Sequence, residues 1–226
     1  MLKKYLSKSL IHTVLIITSL LSVFPFIWLT STSFKGINED IFAYPPAIIP
    51  QDLTFANYID VWHRVNFVGY FMNSMIVAAL TVLLNLVLSS LAAYPLARMS
   101  FCGKKVVFFA ILATIMIPFQ AIMLPVYIIT LKLHLMDSVN NLMGYIGLVM
   151  PFAVSAFGIF LMRQAFLKVP KEVEEAAIVD GCNVFQMFAR VVIPMVKPTL
   201  AVLAVFTFIG SWGEFLWPSI MLTKDS

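Results

Sequence analysis

Charge is scarce in this chain: 12% of its 226 residues are Asp, Glu, Lys or Arg, while 61% are hydrophobic. A soluble domain carries about twice that share of charge. The scarcity is uneven. No Asp, Glu, Lys or Arg occurs between Lys8 and Lys35, Arg64 and Arg98, Lys105 and Lys132, Asp137 and Arg163, or Lys197 and Glu214. The first four of these runs exceed the ~20 residues that cross a bilayer as a helix. A soluble fold is thereby excluded, and so is a membrane barrel, whose strands are short and alternate in polarity. Cysteine is nearly absent. Cys102 and Cys182 stand at no metal-ligand spacing, and both fall in segments expected on the cytoplasmic side, so they are expected to be reduced and unpaired. The three histidines, His12, His63 and His134, are far apart, and neither a metal nor a cofactor is expected. No G-x-x-x-x-G-K-[S/T] loop occurs either: Gly103-Lys104-Lys105 lacks the earlier glycine and the Ser or Thr, so the chain is not expected to bind ATP itself. The N-terminal apolar run has no A-x-A cleavage site and reads as a retained span rather than a removed signal. No internal repeat stands out.

What is present reads as an all-α, polytopic membrane helix bundle. Five spans are expected, at about Leu10–Ser33, Phe71–Ala97, Val106–Leu131, Leu142–Met162 and Thr199–Leu222. Pro25, Pro118 and Pro125 read as kinks that neighbouring helices can satisfy. Gly144, Gly147 and Gly158 offer close helix contact. Residues 1–70 would hold the first span and a long outer loop, with a short helix at Asn57–Trp62 beyond the helix-breaking Pro45, Pro46 and Pro50. Residues 71–226 would form the membrane core. Eleven of the fifteen cations lie before the first span, after the second or after the fourth. The positive-inside bias makes that side cytoplasmic, together with the N-terminus. The formal charge of +4 therefore points to topology and a lipid bilayer, not to nucleic acid.

One segment breaks the apolar pattern. In KEVEEAAIVDG, Lys171 to Gly181, three glutamates and an aspartate crowd around two alanines. Pro170 can open a helix. Glu172, Glu174 and Glu175 then sit at the positive end of its dipole. Val173, Ala176 and Ala177 form a narrow stripe, and Gly181 can supply the left-handed residue that ends the helix. Asn183 with Gln186 reads as a capping box for a second helix. Phe185, Phe188 and Val192 would share a face of that helix, and Pro194 and Pro198 would end it. A membrane-surface helix carries cations and large apolar residues, whereas this one is acidic and its apolar stripe is small and shallow. It suits either docking by a protein partner or packing on the chain's own span ends.

Glu175-Ala176-Ala177, then Gly181, then Val191-Val192-Ile193-Pro194 resembles the EAA signature of ABC importer permeases, with spacing matched and conservative departures at Val191 and Ile193. Asp180 and Pro170-Lys171-Glu172 resemble the family too. SFKGINEDIFAYPP, TFANYIDVW, FMNSMIVA and WGEFLWP look like the maltose-type, carbohydrate-uptake branch, which commonly has Asn where Gly213 stands. The resemblance implies a type I importer fold in the cell membrane, with a coupling-helix hairpin formed by Glu174, Glu175, Ala176, Ala177, Asp180, Gly181 and Pro194. It also implies a permease subunit of a binding-protein-dependent sugar or oligosaccharide importer that is not itself an enzyme. The implied partners are a second permease subunit, cytoplasmic ATP-binding subunits and an extracytoplasmic sugar-binding protein. The family resembles a six-span protein, so the five spans read here make the chain short of the last one, either truncated or a degenerate copy. A non-transporting remnant, or a permease for glycerol phosphate or amino acids, is the alternative.

Glu214 is the single carboxylate inside an expected span, too little for an intramembrane enzyme. It could accept a sugar hydroxyl while Trp212 or Trp217 stacks on the ring. Alternatively it pairs with another helix near the outer end of its span and leaves the tryptophans as interface anchors. Asn73, Asn85, Asn140 and Asn141 could line a polar path, and the sequence does not choose among them.

Overall fold

A computed structural model describes residues 2–41, 47–135 and 142–222, with side chains from residue 8 onward. Pro45, Pro46, Asn140 and Asn141 lie outside the described residues. Within them the chain is helical, and its only extended pairing is an isolated antiparallel bridge between Lys35 and Leu53. Two helices, over Lys8–Ser33 and Phe67–Arg98, are long and apolar enough to cross a membrane, and three sharply bent helix pairs would raise the number to five. The contacts divide the chain into two compact units, Met1–Tyr70 and Phe71–Ser226.

In the first unit α1 (Leu2–Ser33) continues unbroken past Pro25. The apolar residues of its span are not buried in the protein, as a lipid-facing helix requires. After it, Phe34 meets Phe55 edge-on at 5.2 Å, and α2 (Ala56–Arg64) folds back. Asn57 Nδ2 donates to the carbonyls of Ser33 and Lys35. Lys35 is buried, with Nζ 3.9 Å from Glu39 Oε1 and 5.0 Å from the centre of the Trp28 ring.

In the second unit α3 (Phe67–Arg98) inverts the soluble pattern. Its buried stripe through the membrane-spanning part, Ala78, Thr81, Asn85, Ser89 and Ala93, is small and polar, while many of its large aliphatic residues, such as Leu80, Leu83, Val87 and Leu91, face outward. Lipid is as apolar as leucine, so helices in a bilayer gain by close backbone approach and hydrogen bonding rather than by hiding hydrocarbon. Gly158 on α7 (Ala156–Lys168) shows how close this comes. A Cβ there would stand 2.7 Å from Ser89 Oγ and 2.9 Å from Asn85 Oδ1 of α3.

Each of the last three expected spans is broken, in the third span at the expected Pro118 kink and in the other two where no break was expected. α4 (Lys104–Ala113) runs into a 3-10 turn, and Ile117 is then extended (φ −92°, ψ 110°) because the next residue's ring crowds it out of the helical region. Pro118 opens α5 (Phe119–Lys132), and the pair is bent by 100°. α6 (Leu142–Val149) continues as a 3-10 turn through Phe152. Ser155 then caps α7 by accepting the Gly158 amide at 3.0 Å, at a bend of 60°. The expected fifth span is two helices, α10 (Lys197–Trp212) and α11 (Leu216–Met221), with Gly213 and Glu214 in the break.

Candidate functional site

The acidic segment forms the expected helix, turn and helix. Pro170 stands at the N-cap of α8 (Lys171–Val179), with Glu172 and Glu174 in its first turn. Gly181 ends it at φ +81°. Its amide donates to the Ile178 carbonyl at 3.0 Å, and the Cys182 amide reaches back to the Ala177 carbonyl at 2.9 Å. This is the paired bonding of a Schellman turn. The Asn183–Gln186 capping box is present in both directions, at 2.9 and 3.1 Å. Pro194, however, does not end the second helix, α9 (Val184–Met195). Met187–Val192 is wound as a π-helix, in which the Ile193 amide reaches the Phe188 carbonyl. Widening the turn ahead of a proline relieves the clash that would otherwise break the helix. The chain bends by 79° only at Val196, and Pro198 opens α10 rather than closing α9.

The hairpin is fastened to the C-terminal end of α3. Arg98 Nε lies 2.9 Å from Glu174 Oε1, an ionic contact, and a second guanidinium nitrogen donates to the Val169 carbonyl just before α8. Both side chains of the pair are nearly buried. Tyr94, one turn earlier, packs edge-on against Phe166 and Phe188 with centroids at 5.7 and 5.1 Å. The last carbonyls of α3 lack helical partners, and cations take them. Arg163 donates to Leu96 at 3.0 Å, and Lys104 donates to Ala97 and Met99 at 3.2 and 2.8 Å.

The structure separates the residues the sequence grouped. Of the expected stripe, Ala177 is buried in the chain's own core at 7% exposure, Val173 is half-buried and Ala176 faces outward. Glu174 turns inward to Arg98, whereas Glu175, Asp180, Gly181 and Pro194 are exposed. Phe188 and Val192 pack inside, but Phe185 is 72% exposed. With Ile178 (60%), Val179 (87%) and Val184 it makes an apolar tip around the glycine turn.

The second feature is a cavity of about 250 Å³ in the second unit. Thr81 and Asn85 of α3 line it on one side, Ser155 on another, and Thr207, Ser211 and Glu214 on a third. Asn85 is spent within the protein: its amide donates to the Phe152 carbonyl, and its oxygen accepts the hydroxyls of Ser89 and Ser155. Asn73 bonds the Tyr145 hydroxyl instead. Glu214 is not inside a span, as expected, but in the break between α10 and α11, where Oε1 accepts the Trp217 amide at 3.2 Å. It caps the helix that follows it rather than pairing with another. Trp217 is neither a surface anchor nor a free stacking platform. It is fully buried against Phe119, and its indole N–H donates to the Gly147 carbonyl at 3.2 Å. Trp212 is exposed, stacks on Phe208 at 5.6 Å and does not line the cavity. Among the described residues no cluster of His, Cys, Asp or Glu could hold a metal.

Arg98 was missed by sequence reading, although a cation closing a long apolar helix is a signal for carbonyl capping. Thr207 and Ser211 were missed as well, although hydroxyls four apart mark one helical face. Residues 85–225 match the family described as binding-protein-dependent transport system inner membrane component. The chain is similar to the arabinooligosaccharides transport system permease protein AraQ of Bacillus subtilis, with 33% identity over 90% of this chain and 71% of that one. It is also similar to the diacetylchitobiose uptake system permease protein NgcG of Streptomyces coelicolor (30%, over 95% and 69%). A third relative is the sn-glycerol-3-phosphate transport system permease protein UgpE of Yersinia pestis (32%, over 95% and 76%). Among solved structures it resembles a chain of a bacterial ABC transporter involved in the import of the acidic polysaccharide alginate. There the TM-score is 0.85 at 27% identity, covering 98% of this chain and 76% of that one.

Proposed function

The chain belongs to the family of binding-protein-dependent transport inner membrane components, and from that premise we propose that it is a permease subunit of an ATP-driven importer of sugars or oligosaccharides. It works beside a second permease subunit, with ATPase subunits on the cytoplasmic face and a sugar-binding protein outside. ATP hydrolysis belongs to the separate ATPase subunits, not to this chain. The N-terminus and the α8–α9 hairpin are cytoplasmic, a reading supported by the distribution of cations.

The observation that carries the proposal is the hairpin, which offers an exposed apolar tip to a partner while its other face is fastened to a membrane helix. Glu175, Ala176 and Asp180 meet the ATPase with the tip residues. Ala177 from the core and Gly181 through its left-handed turn set the hairpin's shape, and Pro194 follows the widened turn behind it. When the ATPase subunits close, the movement passes through Glu174 and Arg98, and through Tyr94, to α3. That helix also carries Thr81 and Asn85, so a displacement at one end reaches the wall of the cavity. Glu214 borders the substrate path, and Trp212 stands on its outer approach.

The test is site-directed crosslinking with Ala176→Cys, in a chain whose Cys102 and Cys182 are replaced by serine. A thiol crosslinker is expected to capture the ATPase subunit in purified importer, and membrane-impermeant reagent added outside intact cells is expected not to label the site. Labelling from outside, or a crosslinker that never captures a nucleotide-hydrolysing protein, overturns the docking assignment.

A further inference from the structure

The cavity that Glu214 borders has a charge asymmetry that bears on what passes through it. Glu214 is its one ionisable lining residue, and among the described residues no Lys, Arg or His lines it. Trp217 holds one carboxylate oxygen in place, and the other has no protein partner among the described residues. Among the described residues the hydroxyls of Thr207 and Ser211, one turn apart on α10, carry no side-chain hydrogen bond either. Phe157 and Phe206, 5.8 Å apart and edge-on, line the same cavity with apolar surface. Hydroxyl donors and acceptors beside aromatic faces suit a polyhydroxylated ring. A fixed carboxylate with no counter-cation in low-dielectric surroundings repels a second anion.

We propose that this cavity is a selectivity site for neutral or cationic sugars, with Glu214 as the residue that rejects anionic ones. The inference rests on the reading of the chain as an importer permease and narrows it. Uronic acid polymers and sugar or polyol phosphates are disfavoured, whereas uncharged oligosaccharides and amino sugars pass. Glu214 acts by accepting a sugar hydroxyl and by setting the local potential, while Trp217 positions it.

The experiment reads that potential directly, without knowledge of the substrate. Ser211→Cys is placed in a chain whose Cys102 and Cys182 are serine, purified with its partner subunits and reconstituted in liposomes. Its thiol is titrated with a cationic trimethylammonium-ethyl and an anionic sulfonatoethyl methanethiosulfonate. The ratio of cationic to anionic rate is expected to exceed that of free 2-mercaptoethanol by about tenfold, an order of magnitude set by one charge at close range under partial screening. Adding Glu214→Gln, which keeps the oxygen that holds Trp217, is expected to return the ratio to the free-thiol value. Thr207→Cys gives the same readout one turn away should Ser211→Cys assemble poorly. A ratio at the free-thiol value in the parent, a ratio that Glu214→Gln leaves unmoved, or a thiol reached by neither reagent overturns the proposal. Failure of the importer reading looks different, since no ATPase would then co-purify and ATP would drive no uptake at all.

Discussion

The C-terminal end of α3 and its middle stand among polar groups that are used in opposite ways. At the C-terminal end the cations are engaged: Arg98 with Glu174 and Val169, Arg163 with Leu96, Lys104 with Ala97 and Met99. At the middle, around Thr81 and Asn85, a cavity opens onto Thr207, Ser211 and Glu214, whose polar atoms are only partly used. Saturated polar contacts fix geometry, because breaking any one strands a buried partner. Unspent ones leave room for a solute that exchanges its own water. One helix thus joins a stiff junction to a yielding interior.

Three substitutions probe that contrast. Arg98→Ala is expected to do most, because it leaves Glu174 nearly buried without a counter-charge and frees the Val169 carbonyl. A loss of about 3 kcal/mol is in range for such a broken pair. In reconstituted importer, ATP-driven uptake should fall much further than ATP hydrolysis, and uptake that stays in step with hydrolysis would show the junction to be dispensable for coupling. Gly158→Ala is next. Its methyl group would press on Ser89, Ser155 and Asn85, which should cost about 2 kcal/mol and lower the thermal midpoint in detergent followed by tryptophan fluorescence. An unchanged midpoint would mean that α3 and α7 are looser than their contacts indicate. Gly210→Ala is smallest. Nothing lies within 4 Å of the added methyl, so the midpoint should move by no more than about 0.5 kcal/mol would shift it. A large shift at Gly210 would mean that the cavity is filled by protein.

The sequence made the stiff end more legible than the yielding one. Gly181 and the Asn183–Gln186 pair act within a single turn, so local chemistry determines them. The helical membrane architecture follows from long uncharged runs and needs no tertiary knowledge. The Arg98–Glu174 pair joins residues far apart in the chain, and no local pattern reveals it. Trp217 shows the limit in a membrane protein. An apolar side chain among apolar neighbours reads alike whether it faces lipid or core, and only packing against Phe119 decides. Pro118 announces a break but not its angle of 100°, which packing sets. Glu214 could have been placed better, since Gly213 before it and an acid ahead of Leu216 are ordinary signals of one helix stopping and another starting.

The turn at the hairpin's end leaves little for solvent to hold on to. The amides of Asp180, Gly181, Cys182, Asn183 and Gln186 are all satisfied inside the turn and its two flanking helices. A surface settling over Ile178, Val179 and Phe185 therefore need not strip water from those backbone donors, and hydrocarbon is most of what it covers. On the proposed reading, attachment at that tip would rest mainly on shape and grease, which tolerate repeated rocking better than a lattice of directional bonds that must be broken and remade on every stroke.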